Sequence, residues 1–254
     1  MNYNRDLEVF PVVKRIIEKI TCEESEYKSP TDMGVNRAGF GITNDEVVRE
    51  AACQEIIRRY MIALCDYKKG KIESGTVERV KLLMDDLSLT EEDRHVVIPA
   101  RAYAERKRDC DKRYMNVVVM AIEMDDGKMI TGRSSRRMVA AAAALLNSIK
   151  YLSGISDDLH LISPDILTRI QELKTEVLHS EKTSLNCEEI LTALTISAAT
   201  NPSAEMALSK LEELRGCRAH CTAILSDKDE ATLKALDIDV TSDAEYVTNN
   251  LYYS

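Results

Sequence analysis

Residues 116–124 read NVVVMAIEM, residues 125–128 read DDGK and residues 129–135 read MITGRSS, and an alanine-rich segment follows. Two short apolar runs on either side of an Asp-Gly dipeptide predict a β-hairpin. The segment from Ala140 to Ile149 is apolar around most of its circumference, which is typical of a helix buried against a sheet. Gly154 is placed to cap that helix. This stretch therefore predicts where a core lies.

The part of the chain before this stretch predicts a helical subdomain, residues 1–112. Apolar residues recur at helical spacing in four segments. They are residues 7–20, a segment from the capping box at 43–46 to a stop at Gly70, residues 77–87 and residues 99–108. A polar, glycine-containing loop at 27–43 separates the first two.

The part after it alternates between strands and helices. Strands are predicted at 160–162, 219–225 and 238–241, and helices at 164–178, 188–199, from 202 onwards and at 227–236. This alternation predicts helices covering a parallel or mixed sheet. We therefore expect an α/β fold class, with a three-layer α/β/α domain at 113–254.

Composition narrows the classes of partner. A net charge of -9 argues against a general binder of nucleic acid or anionic membranes, because both attract basic surfaces. No apolar run is long enough to span a bilayer, and no signal-peptide pattern opens the chain. Seven cysteines without framework spacing suit reduced thiols. We expect a cytoplasmic protein.

The polar loop is the first candidate ligand site. It carries both charges and several neutral donors, and its glycines allow a close approach of the backbone. The fifteen irregular residues 27–41 are long for a plain connection between helices, although a solvated connection is the alternative interpretation. The candidate binding residues here are Lys28, Ser29, Thr31, Asn36 and Arg37, with Asp32 as a weak candidate for proton transfer.

The segment from Thr131 to Arg137 is the second candidate. It is predicted to end a strand and open a helix, so that Thr131, Arg133 and Ser134 could hold a phosphate or carboxylate. The alternative is an ordinary serine cap followed by exposed arginines.

Three further places in the chain carry polar side chains that are candidates. His220 could face a cleft at the end of a parallel strand and is a weak catalytic candidate. No second Cys or His pair with ligand spacing accompanies it, so we predict no metal site. The last candidates for ligand binding are Asn4, Arg5 and Asp6 near the start of the chain, and Asn201 at the start of a predicted helix.

Several segments resemble one family. They are residues 2–11 (NYNRDLEVFP), 27–36 (YKSPTDMGVN), 46–51 (EVVREA) and 198–202 (AATNP), together with the closing strand–helix–strand. They are similar to the C-terminal half of bacterial proteins called domain of unknown function 1846, or uncharacterised protein family 0371. The resemblance implies a half-protein, truncated or made as a separate piece. It also implies that the other half ends in a glycine-rich phosphate loop, and no such motif occurs here.

The resemblance further implies a topology like that of cytidine deaminases for the last part of the chain. The chemistry differs, because a zinc deaminase needs His or Cys ligands at two helix starts. Residues 134–138 (SSRRM) and 201–206 (NPSAEM) hold none. Zinc-dependent deamination is therefore not predicted.

Two functions remain open. In the first, the chain forms one wall of an interdomain active-site cleft in an enzyme whose other wall binds a nucleotide or phosphorylated ligand, with no cofactor identified. In the second, it is a non-catalytic interaction or oligomerisation module. The expected partners are the N-terminal half of the same family or a second copy of the chain.

Overall fold

A computed structural model describes residues 3–25, 45–110 and 115–247, with side chains from residue 12 in the first range and from residue 46 in the second. The chain divides into two compact units, Met1–Asp93 and Arg94–Ser254. The polar loop at 27–43, with all its candidate residues, lies outside the described residues. So do the side chains of Asn4, Arg5 and Asp6.

The described residues of the first unit form helices and their connections. The helices are α1 (Tyr3–Thr21), α2 (Asp45–Lys68) and α3 (Ser74–Asp86), followed by a 3-10 turn at Glu91–Asp93. This confirms the first three predicted helices. Helix α2 packs on α3, and Ile57 and Met61 are buried with Val80 and Met84. Gly70 follows α2 with a φ of 72°, and its N–H donates to the Tyr67 carbonyl, as a C-terminal cap should.

The second unit contains helices and a sheet. Its helices are α4 (Val97–Cys110), α5 (Ala140–Leu152), α6 (Pro164–Glu172), α7 (Cys187–Ala198), α8 (Pro202–Leu208) and α9 (Asp227–Ala235). Its strands are β1 (Val119–Glu123), β2 (Met129–Arg133), β3 (Arg218–Cys221) and β4 (Asp239–Ser242). A π-helical turn at Leu173–Val177 continues α6. The mixed α/β class is confirmed.

The four strands form one sheet in the order β2-β1-β3-β4. Strand β1 is antiparallel to both β2 and β3, whereas β3 and β4 are parallel. Ala121 pairs with Thr131 on one side and with His220 on the other, and His220 pairs in turn with Thr241. The carboxyl ends of β2, β3 and β4 therefore meet at one edge of the sheet, beside the amino end of β1.

The predicted hairpin is confirmed. Gly127 occupies its turn with a φ of 77°, a conformation that favours glycine. The Asp126 carboxylate accepts a hydrogen bond of 2.9 Å from the Lys128 N–H and closes the turn. The helix predicted after the hairpin is also confirmed as α5, and Gly154 follows it with a φ of 63°.

The two faces of the sheet are covered by different helices. Because side chains alternate along a strand, Met120 and Ile122 face one side while Val117 and Val119 face the other. The first pair joins the main core, to which α5, α7 and α9 contribute Leu145, Ile149, Ile190, Leu194 and Leu233. The second pair packs with Ala104 of α4.

One predicted strand is wrong. Residues 160–162 belong to no strand, although Leu161 and Ile162 are buried in the main core. The Asn201 side-chain amide donates to the carbonyls of His160 (3.5 Å) and Leu161 (3.2 Å), so that a side chain satisfies these groups instead of a neighbouring strand. The prediction was wrong because two adjacent apolar residues that are buried in the core read as a short strand in the sequence.

Helix α4 was predicted as part of the helical subdomain. It contacts β1, and it lies within the second unit. The division of the chain into domains at residue 112 stays a prediction. Within the described ranges, no helix combines the length and apolar content that crossing a membrane requires.

Candidate functional site

A cavity of about 380 Å³ lies at the edge of the sheet where β3 and β4 end and β1 begins. We call it the edge cavity. In sheets with helices on their faces, ligands bind outside the carboxyl ends of parallel strands. The polar residues that line the edge cavity are Arg101, Glu105, Arg108, Asn116, Thr222, Asp243, Glu245 and Tyr246.

One face of α4 forms one wall of the edge cavity. Arg101, Ala104, Glu105 and Arg108 are separated by three, four and seven residues, so they share one face of α4. Ala104 is buried against the sheet, whereas Glu105 and Arg108 are exposed. The small alanine lets α4 approach the strands, and the longer side chains surround the opening.

An ion pair joins this helix to the end of β4. An Arg101 terminal nitrogen lies 2.6 Å from Asp243 Oδ1, and Arg101 Nε lies 3.2 Å from each carboxylate oxygen. The Asp243 N–H donates to the Cys221 carbonyl over 2.8 Å, which holds the backbone of this aspartate beside β3. The Asp243 end of the ion pair is therefore held in place by the backbone.

His220 lies behind this ion pair and is fully buried. Its Nε2 lies 3.3 Å from Asp243 Oδ1, and its Nδ1 lies 3.0 Å from the Thr241 hydroxyl oxygen. The Thr241 hydroxyl itself donates to the Ala219 carbonyl over 3.3 Å. His220 thus lies between Thr241 and Asp243, and it is not among the residues that line the edge cavity.

Burial opposes the ionisation of Asp243, but the hydrogen bonds and charges of His220 and Arg101 outweigh it. Together they lower the pKa of this carboxyl to about 2 from an ordinary value of 3.8. The edge cavity therefore keeps a carboxylate at any physiological pH.

This pKa predicts how stability depends on pH. Because the folded-state pKa lies below the ordinary value, the ionised carboxyl stabilises the folded protein above about pH 4, and this contribution disappears as the pH falls towards 2. The difference corresponds to about 2 kcal/mol. We expect Asp243→Asn to lose that amount near pH 7 and to unfold with a flatter pH dependence below pH 4, measured by urea denaturation.

The matched control is Asp237→Asn, which removes a carboxylate whose side chain is 72% exposed. It should keep the wild-type pH dependence between pH 4 and 2. Equal pH profiles for Asp243→Asn and the wild type would show that the ion pair contributes nothing to this acid sensitivity.

Two hydroxyl groups complete the edge of the sheet on either side of β1. Thr222 Oγ1 accepts a hydrogen bond of 3.0 Å from the Val119 N–H, and Ser134 Oγ accepts one of 3.0 Å from the Val118 N–H. Ser134 thus lies at the same edge as the cavity, at the end of β2, and Arg133 precedes it. The structure brings these two predicted residues near the site, although neither lines the cavity.

The helix start predicted beside Ser134 is wrong. Helix α5 begins at Ala140 after Val139, which caps it without a side-chain hydrogen bond. The Ser135 hydroxyl instead accepts from the Arg137 and Met138 N–H groups in a turn. Strand pairing continues through Ser134, whose N–H donates to Val118, and this delays the helix.

The other predicted residues have local partners. The Thr131 carbonyl accepts from the Asn147 side chain over 2.8 Å, in the middle of β2. Asn201 caps α8 by accepting from the Ser203 N–H, and it does not line the cavity. Arg101 and Asp243 were missed. From the sequence alone, α4 reads as a solvated, charged helix. The helical spacing of Arg101, Ala104 and Arg108 could have placed Arg101 on the packed side of α4, but it gives no signal for Asp243.

The thiols near His220 are core residues. Cys217 and Cys221 are buried, and burial, with the nearby charges of Asp125 and Glu123, raises the pKa of Cys217 to about 11. Protonated thiols are poor metal ligands. In the described parts of the chain, no group of three or more His, Cys, Asp or Glu side chains could hold a metal ion.

Two family models match the chain. The model described as "Domain of unknown function DUF1846, N-terminal" matches residues 1–88, and "Domain of unknown function DUF1846, C-terminal" matches residues 92–252. The resemblance inferred from sequence motifs is therefore confirmed. The two matches meet within a few residues of the division between the structural units at Asp93.

Similar proteins bear the name UPF0371 protein. One from Clostridium botulinum strain Langeland is 56% identical over 254 residues, and one from Clostridioides difficile strain 630 is 54% identical over 254 residues. Each match covers 100% of this chain and 51% of the relative. The chain thus spans about half the length of the curated relatives it matches.

Proposed function

The chain belongs to the family described as domain of unknown function DUF1846, and from this premise we propose that its second unit binds a small polar ligand in the edge cavity. In this proposal the chain forms one wall of the active-site cleft of an enzyme, and the edge cavity lies in that wall. The observation that carries it is the position of a polar cavity at the carboxyl ends of β3 and β4.

The charges of the cavity indicate which part of a ligand it would contact. Two guanidinium groups, of Arg101 and Arg108, are accompanied by the carboxylates of Glu105, Asp243 and Glu245. Arg101 is already paired with Asp243, so this lining does not favour a polyphosphate. Closely spaced donors and acceptors of both kinds suit hydroxyl groups or a heterocyclic base. We therefore propose that the cavity takes the uncharged part of a nucleotide or sugar phosphate.

The phosphate would be held elsewhere. The family resemblance implies a glycine-rich phosphate loop in the half of the relatives that this chain does not cover, and the loop at Lys28 to Arg37, with Arg5 and Asp6, stays a candidate for further contacts. Proton transfer by Asp32 also stays a proposal. The partner in this proposal is that N-terminal half.

The proposed topology of the second unit is the three-layer α/β/α arrangement of cytidine deaminases. Three strands of one direction with β1 antiparallel between them, and helices on both faces, support it. The proposal extends to the architecture only, because the zinc ligands of those enzymes have no counterpart at residues 134–138 or 201–206.

Thermal shift tests the proposal. We expect AMP or glucose 6-phosphate to raise the melting temperature of the chain, alone or mixed with the N-terminal half of a relative, whereas inorganic phosphate at the same concentration should not. Arg108→Ala and Asn116→Ala should abolish the shift without changing the melting temperature of the free protein, because both side chains are exposed.

The control variant is Arg169→Ala, which removes an exposed arginine of α6 that does not line the edge cavity. It should keep the full ligand-induced shift. If neither probe stabilises the chain in either setting, or if Arg108→Ala responds like the wild type, the edge cavity is not the ligand site.

The alternative function is an interaction module, and one observation favours it. Val12, Ile16 and Ile20 of α1 are spaced by four residues and are 55%, 50% and 76% exposed. A stripe of exposed aliphatic side chains on one helix face is typical of association with a protein surface. In this alternative the chain self-associates, and replacing Ile16 with serine should shift a dimer towards monomer in sedimentation experiments.

A further inference from the structure

A second cavity, of about 230 Å³, lies in the second unit beside α5. We call it the α5 cavity. Ala143, Leu146, Asn147 and Lys150 reach it from one face of α5, because their spacing of three, four and seven residues places them together. The segment 159–162 and the start of α6 form the other side. It is separate from the edge cavity and shares no lining residue with it.

The walls of the α5 cavity are mainly apolar. Met138, Leu146, Leu161 and Leu167 line it, and Leu161 and Leu167 are only 3% and 6% exposed. Its volume corresponds to about eight water molecules at ~30 Å³ each, so a nucleotide does not fit. These properties suit a small molecule with a hydrocarbon body.

Four polar side chains also line the cavity, those of Arg137, Asn147, Lys150 and His160, and Lys150 is the buried one among them. The residue is 8% exposed, and its ammonium group donates to the carbonyls of Asp157 (2.9 Å) and Ser156 (3.4 Å). An ammonium group has three N–H donors, so these two bonds leave one. Among the described side chains, no carboxylate forms an ion pair with Lys150, since its contacts are the two carbonyls.

A buried cation is costly unless a charge of opposite sign accompanies it. Carbonyl dipoles solvate the Lys150 ammonium group but do not neutralise it. A ligand carboxylate would supply both the missing acceptor and the opposite charge. A hydrocarbon body on that carboxylate would match the apolar side chains of Leu146, Leu161 and Leu167.

We propose that the α5 cavity binds a small monocarboxylate with an apolar body, held by an ion pair between its carboxylate and Lys150. This site is independent of the ligand proposed for the edge cavity. Either of the two proposals can therefore be wrong while the other is right.

Isothermal titration calorimetry of the full 254-residue chain with sodium hexanoate tests the proposal. Hexanoate should bind, and hexylammonium chloride, which carries the same tail and the opposite charge, should not. Lys150→Met keeps the length and apolar stem of the side chain but removes the charge, and it should weaken hexanoate binding at least tenfold. Lys234→Met, at an exposed lysine of α9, should leave binding unchanged.

A second variant protects the test against misfolding of Lys150→Met. Ala143→Leu keeps a good helix former on α5 and fills the cavity, so it should also abolish hexanoate binding. The proposal is overturned if the wild type does not bind hexanoate, if hexylammonium binds equally well, or if either variant binds hexanoate with wild-type affinity. Arg108→Ala should bind hexanoate normally, which separates this site from the edge cavity.

Discussion

Gly132→Ala is expected to lower the free energy of unfolding of the second unit by about 3 kcal/mol or more. An alanine Cβ at this position of β2 would overlap the Ala144 backbone nitrogen and would lie 2.6 Å from the Ala143 carbonyl carbon. Both are backbone atoms of α5, so no side-chain rotation can relieve the overlap. The helix would have to move away from the strand and would take Leu145 and Ile149 out of the core.

Urea denaturation followed by far-UV circular dichroism measures this loss. The matched control is Gly127→Ala in the turn of the same hairpin, where a Cβ would meet nothing within 4 Å but φ is 77°. We expect that control to cost about 1 kcal/mol, from the strained backbone alone. A Gly132→Ala protein as stable as Gly127→Ala would mean that α5 does not depend on close contact with β2.

The second large effect is expected for Arg94→Met. The Arg94 side chain is 1% exposed, and one of its terminal nitrogens donates to the Asp239 carbonyl (2.8 Å) and to the Asp239 carboxylate (3.0 Å). Methionine keeps part of the packing but removes the charge and the donors. We expect a loss of about 2–3 kcal/mol, which is less than for a fully buried pair because the Asp239 side chain is 38% exposed and stays hydrated.

The control for this variant is Arg215→Met. Arg215 lies 3.7 Å from the Asp237 carboxylate, and the two side chains are 75% and 72% exposed. An exposed pair of this kind contributes less than about 0.5 kcal/mol to the stability of a folded protein. Equal unfolding midpoints in urea for both variants would contradict a role for Arg94 in holding β4.

Local features of the sequence predicted much of the fold. The Asp-Gly turn of the hairpin, the Gly154 cap of α5 and the Asn201-Pro202 start of α8 each depend on residues within one turn of chain. The prediction failed at residues 160–162, where buried side chains resemble a strand but the backbone has no neighbouring strand. It also failed at Ser134, where strand pairing continues.

The candidate site could not be predicted in the same way. Arg101 and Asp243 are 142 residues apart in the chain, and Arg94 and Asp239 are 145 apart. No short pattern indicates which charges will meet across such distances. Lys150 likewise reads as an ordinary lysine at the end of α5, and only the fold of the segment that follows buries it.

The sequence by itself determined the hairpin, the capped helices, the mixed α/β class and the family. Those features follow from backbone conformation and from hydrogen bonds between residues that are close in the chain. Only the tertiary structure decided the sheet order, the two cavities, the burial of His220 and Lys150 and the ion pair of Asp243. Burial and charge pairing depend on which distant segments pack together, and that packing is a property of the whole fold.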